Sequence, residues 1–81
     1  PIGDTTSMSF DKETGLLVVK YDDDVKSALY MLGEYTETGV SISKGRMVLD
    51  TNQLQRDAAY TIYLERKDVE KKSIMFTLKG L

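Results

Sequence analysis

The sequence predicts an all-β fold, an antiparallel β-sandwich of six to seven short strands filling residues 1–81 as a single domain. Three observations carry this. Residues 59–66 alternate with period two, Tyr60, Ile62 and Leu64 facing one way and Thr61, Tyr63 and Glu65 the other. Turn-forming residues recur at short intervals between apolar runs too brief for most helices. A chain of 81 residues fits one domain. With 41% hydrophobic and 30% charged residues, the composition is that of a globular chain, not a disordered one.

In chain order, residues 1–6 are small and polar and read as a flexible lead-in. Met8 and Phe10 alternate with Ser7 and Ser9, a short half-buried strand. Residues 11–15 are turn chemistry: Asp11 opens a reversal and Gly15 supplies positive φ. The return strand puts Leu17, Val19 and Tyr21 on one face and Leu16, Val18 and Lys20 on the other. Residues 25–32 satisfy two patterns. As a central strand they set Ala28, Tyr30 and Leu32 against Ser27, Leu29 and Met31, with apolar cover on both sides. As a short helix over about 23–32, in an α+β fold, they are capped by Asp22–Asp24 and closed by Gly33. The β-rich surroundings favour the strand.

Residues 33–39 read as a loop or short edge containing Tyr35. Val40 and Ile42 alternate, Lys44–Gly45 is a tight turn, and Met47 and Leu49 share a face of the next strand. Residues 51–57 are a polar connection whose one apolar residue is Leu54. After the strand at 59–66 comes a charged reversal, residues 67–72. A last strand over 73–79 then places Ile74, Phe76 and Leu78 together. No internal repeat or low-complexity tract is present.

Residue types that are missing narrow the function. The chain has no cysteine, histidine or tryptophan. It therefore offers no thiol nucleophile, disulfide, Cys/His zinc site or imidazole base, and no Ser-His-Asp or Cys-His arrangement. The expectation is a protein that is not an enzyme and carries no cofactor. A formal net charge of −2 gives no sign of nucleic-acid binding. The charge is uneven: residues 1–40 hold three lysines against eight acids, and residues 41–81 hold eight basic residues against five acids. No apolar run approaches the roughly 20 residues of a membrane span. The chain begins at Pro1, not methionine, so a processed or excised segment is expected.

Residues 54–62, Leu-Gln-Arg-Asp-Ala-Ala-Tyr-Thr-Ile, resemble the corner before strand F of immunoglobulin-like domains: an apolar residue, an Asp, a small residue, a spacer and a Tyr. The resemblance is to cysteine-free domains like those of the intermediate set. Residues 45–64 also look like small secreted bacterial Ig-like domains of unknown function and C-terminal sorting domains of secreted bacterial proteins. It implies that the Tyr60 hydroxyl bonds upstream backbone and that Ile62 and Val19 stand near the two cysteine positions. Tyr30 or Leu29 would stand near the core tryptophan. With both cysteines and the tryptophan missing, such a domain is held by apolar packing alone. Leu54, Asp57, Tyr60 and Ile62 are then structural, Asp57 capping or bracing the turn.

Several surfaces are candidates for binding a protein or glycan. Tyr35 and Tyr63 are expected outside the core, where tyrosines cover a sheet edge, anchor interfaces or stack on sugars. Arg66, Lys67, Lys71 and Lys72 surround the last turn and offer charge to an anion, though mixed with Asp68 and Glu70. Asp22, Asp23 and Asp24 are weak cation candidates, since consecutive acids lack the spaced ligands of a calcium loop. The function expected is a non-catalytic secreted or cell-envelope module that binds or spaces. The alternatives are a decoration domain of a larger assembly, such as a phage or surface fibre, and a small carbohydrate-binding module. A monomer or an edge-strand oligomer fits either.

Overall fold

The computed structural model describes residues 6–81, so most of the lead-in read over residues 1–6 lies outside the described residues. Eight strands follow one another: β1 (Ser7–Asp11), β2 (Leu16–Lys20), β3 (Lys26–Met31), β4 (Glu34–Tyr35), β5 (Val40–Ser43), β6 (Arg46–Asp50), β7 (Ala59–Glu65) and β8 (Lys72–Thr77). They form two four-stranded antiparallel sheets, ordered β1-β2-β6-β5 and β4-β3-β7-β8. The inward residues of both sheets meet in one core: Leu17, Val19, Met47 and Leu49 from the first, Leu29, Tyr60, Ile62 and Leu64 from the second. Tyr21 and Val25, at the first crossing between sheets, complete it. The architecture is that of a β-sandwich.

The count exceeds the expected six to seven because the segment carrying Tyr35 pairs with β3 as a two-residue edge. Residues 25–32 are strand, not helix. β3 lies between β4 and β7: all six of its residues pair with β7, and Tyr30 and Met31 pair with β4 as well. Only its inner face is covered, however. Leu29 is fully buried, while Ala28 and Tyr30 look outward, and Leu32 has left the strand for the turn. The last strand ends earlier than the alternation implied. Leu78 begins a 3-10 turn, Leu78–Gly80, instead of continuing the inward row of Ile74 and Phe76.

The turns are made as the residue types suggest. Asp11 accepts from the Glu13 N–H at 2.9 Å, and Gly15 takes φ +75° while its N–H reaches the Asp11 carbonyl at 2.8 Å. That turn is held from a distance. Thr51, the one buried polar residue among those described, donates its hydroxyl to the Gly15 carbonyl at 2.6 Å. Asn52 Nδ2 donates to the Thr14 carbonyl at 3.0 Å.

The chain passes between sheets three times, after β2, β4 and β6. At the last passage the Tyr60 hydroxyl accepts the Gln55 backbone N–H at 2.8 Å, its ring 2% exposed and stacked on Phe76 with centroids 5.7 Å apart. Leu54 packs against the core beneath this link, and Ile62 is fully buried. Asp57 neither caps nor braces the turn; it is exposed and pairs with Lys79 at 3.0 Å. The bracing comes from Tyr60 and from the Ala58 N–H to Gln55 carbonyl bond. Tyr60→Phe keeps the ring but strands the Gln55 N–H, and chemical denaturation is expected to show a loss of about 0.5–2 kcal/mol.

Candidate functional site

The five tyrosines divide into two groups. Tyr21 and Tyr60 are buried, and each hydroxyl has a partner: Ser27 Oγ at 2.6 Å for Tyr21, the Gln55 N–H for Tyr60. Tyr30, Tyr35 and Tyr63 converge on the outer face of the β4-β3-β7-β8 sheet. Among the described residues their hydroxyls have no hydrogen-bond partner within the chain.

Register explains the convergence. Tyr35 stands directly opposite Tyr30 in the β3–β4 ladder, and Tyr63, opposite Ala28, is the diagonal neighbour of Tyr30 across β7. Ring centroids lie 5.8 Å apart at 69° for Tyr30–Tyr35 and 5.2 Å apart at 90° for Tyr30–Tyr63, both edge-to-face. The small side chains of Ala28 and Thr61 leave space beside the rings. An open groove of about 420 Å³ results, lined by Lys26, Ala28, Tyr30, Thr61, Tyr63 and Lys71 among others. At one end Lys26 stands opposite Glu65, and Lys71 reaches Glu65 at 3.8 Å.

Two further apolar groups extend this face. Met75 stands across from Thr61 and is 75% exposed. Leu32 sits at the tip of the β3–β4 hairpin, 87% exposed, at φ +53° next to Gly33 at φ +83°. Positive φ at both central residues is the backbone of a type I′ turn. Glycine adopts it freely, but a leucine there carries a penalty of roughly 1–2 kcal/mol. An exposed leucine held in that conformation gains nothing from the fold around it.

Of the two expected aromatic positions, Tyr35 (48% exposed) and Tyr63 (44% exposed) are therefore brought to one place, with Tyr30 between them. Tyr35 lies in β4, so of the two readings of residues 33–39 the short edge, not the loop, holds at this residue. The sequence reading assigned Tyr30 no surface role. Its place on one face with Ala28 was legible, but that this face is the outer one, and which residues neighbour it there, depend on how β3 aligns with β4 and β7.

The basic residues do not form one patch. Arg66 turns back to Asp22 at 3.3 Å and Asp24 at 4.0 Å, Lys71 goes to Glu65, Lys72 is half-buried at the start of β8, and Lys67 is exposed. The Asp22–Asp24 run is split likewise. Arg66 engages the outer two, and Asp23 lies over Gly45, where an added Cβ would stand 2.6 Å from its carboxylate oxygen. Among the described residues no group of three or more acidic side chains is arranged to hold a metal ion. No helix there is long and apolar enough to cross a membrane.

No family model matches the chain, and no curated protein matches it in sequence. The tyrosine face must therefore be read on its own chemistry.

Asparagine tolerates positive φ better than leucine. Leu32→Asn is expected to raise stability by about 0.5–1 kcal/mol in denaturant titrations, the reverse of what an ordinary apolar-to-polar change at a packed site would do.

Proposed function

We propose that this chain is a non-catalytic, Ig-like β-sandwich module of a secreted or envelope-associated protein. It binds a partner protein through the outer face of the β4-β3-β7-β8 sheet. The observation that carries the binding role is the cluster of Tyr30, Tyr35 and Tyr63, rings in contact and hydroxyls unengaged, extended by exposed Leu32 and Met75. Tyrosine offers large contact area at low entropic cost and leaves a polar tip for the partner, so such residues concentrate binding energy.

The Ig-like part of the reading has two supports. Labelled in chain order as A, B, C, C′, D, E, F and G, the strands fall into A-B-E-D and C′-C-F-G sheets, the constant-type arrangement with one added edge. The Tyr60–Gln55 bond matches the tyrosine corner of such domains. In this frame Leu29, which is buried, takes the core-tryptophan position, and Tyr30 is released to the surface. The absence of histidine and cysteine from the sequence supports the non-catalytic part.

A glycan is the second reading, favoured by the groove beside the rings. The ring angles weigh against it. A flat sugar face stacks best on a level platform, and these rings meet edge-to-face at 69° and 90°.

The test pairs the wild-type domain with Tyr35→Ala and Tyr63→Ala as baits against secreted and surface proteins of the source cells. A partner so identified is then purified and titrated by calorimetry. Each variant is expected to melt cooperatively and to bind at least ~10-fold more weakly, the loss of an interface hot spot. Equal affinity for the purified partner would sink the assignment of the face. Glycan-array binding abolished by Tyr63→Ala would move the function to sugars.

A further inference from the structure

Among the described residues the two sheets leave four edges: β1 and β5 in one, β4 and β8 in the other. Exposed edges carry unpaired N–H and C=O groups and are usually blunted by shortness, proline, bulges or charge. β4 has two residues and β5 four, Val40–Ser43, with Lys44 next in the turn; β1 has five and ends on Asp11. β8 is different. It runs six residues, Lys72–Thr77, without proline, and pairs with β7 in unbroken register, so it holds no bulge. Its one charge, Lys72, is at its first position. Apolar groups lie along it: Met75 is 75% exposed and, with Met8, Phe76 and Leu81, lines an open mouth of about 450 Å³ at this edge.

We infer that β8 pairs antiparallel with β8 of a second copy across a two-fold axis at Met75. The sequence of the strand selects this register. Centred on Met75, each Ile74 opposes the partner strand's Phe76 on the inner face. Ser73 opposes Thr77 on the outer face, and the two copies of Met75 meet. From residue 73 to residue 77 the opposed pairs match in character, which is what cross-strand stabilisation requires; Lys72 falls opposite Leu78, where the partner strand has already ended in its 3-10 turn. A shift by one residue would set inward against outward side chains. Centring on Ile74 would drive the Lys72 ammonium against Phe76 in the apolar mouth, and centring on Phe76 would leave only residues 75–77 overlapping. Lys71 and Lys79 approach one another at the two ends. Each already carries its own carboxylate, Glu65 at 3.8 Å and Asp57 at 3.0 Å, so no bare like-charge pair forms.

The product is a continuous eight-stranded sheet. Because the axis is perpendicular to it, both tyrosine clusters lie on the same side, and a repetitive partner engages two at once. The inference stands on the edge alone and does not depend on what the tyrosine face binds. An edge-to-edge contact is small beside the ~800 Å² per partner of a standard interface, so the dimer dissociates on dilution.

The chain has no cysteine, so one introduced residue reports the register. Directly opposed residues in an antiparallel pair have Cα atoms about 4.5–5.5 Å apart, inside the range a disulfide spans. Under mild oxidation Met75→Cys is expected to form covalent dimer at least ~10-fold faster than Ser73→Cys or Thr77→Cys alone, whereas those two, mixed, cross-link to each other. Sedimentation equilibrium of the wild type is expected to show a monomer–dimer equilibrium that Met75→Lys weakens at least ~10-fold while the thermal melt is kept. A wild type monomeric to its solubility limit, equal cross-linking at positions 73 and 75, or undiminished association of Met75→Lys would each overturn the pairing.

Discussion

The passage from β6 to β7 is where the two sheets are made into one body. Strand ladders order each sheet internally, but a ladder cannot specify how one sheet lies on the other. That is done by the chain leaving Asp50 and returning at Ala59, and the passage is tied at both ends. Near the first sheet, Thr51 and Asn52 grip the carbonyls of Gly15 and Thr14. Near the second, the Tyr60 hydroxyl takes the Gln55 N–H while its ring lies in the core against Phe76. A side chain inside the sandwich thereby satisfies a backbone group of the loop outside it, and Leu54 fills the space between. Without the phenol that N–H would have no partner in the chain, in a loop drawn over an apolar core.

With the core closed, the outward faces are free to differ, and they do. The first sheet presents serines, valines and scattered charge, while the second presents three rings whose hydroxyls the fold does not use. Aromatic contact among them holds their orientation at little entropic cost. Leu32 adds a second signature of the same kind, an apolar side chain in a backbone conformation glycine or asparagine would hold with less strain. A small domain has limited stability to spend, and this one places unfavourable exposure and a strained turn on the same sheet.

The alternation of β7 and β8 links that face to the strand edge. Side chains facing out from β7 (Thr61, Tyr63) and from β8 (Ser73, Met75) belong to one surface, so anything that extends the sheet at β8 extends the tyrosine face with it. The first sheet has no comparable continuity, since both of its edge strands are shorter.

How much of this was legible beforehand follows from the range of each interaction. Period two names the set that shares a face in residues 16–20, 46–50 and 59–65, because a strand places alternate side chains on opposite faces whatever it pairs with; in residues 16–20 both faces carry apolar residues, and the packing chose Leu17 and Val19. Turns at Gly15 and Gly45 are equally local, as is the phenol at position 60 once a strand begins at Ala59. Residues 25–32 were not decidable locally, since both a helical stripe and a strand stripe contain Leu29; the neighbours β4 and β7 settled them as strand. The roles of Asp57, Arg66 and Thr51 were invisible for the same reason. Their partners, Lys79, Asp22 and Gly15, lie 22, 44 and 36 positions away along the chain. The meeting of Tyr30, Tyr35 and Tyr63 is likewise a product of register. Sequence by itself determined which side chains share a face of a strand, because alternation depends on backbone geometry one residue at a time. Only the tertiary structure decided which outward residues become neighbours, because that depends on alignment between strands that the chain meets far apart.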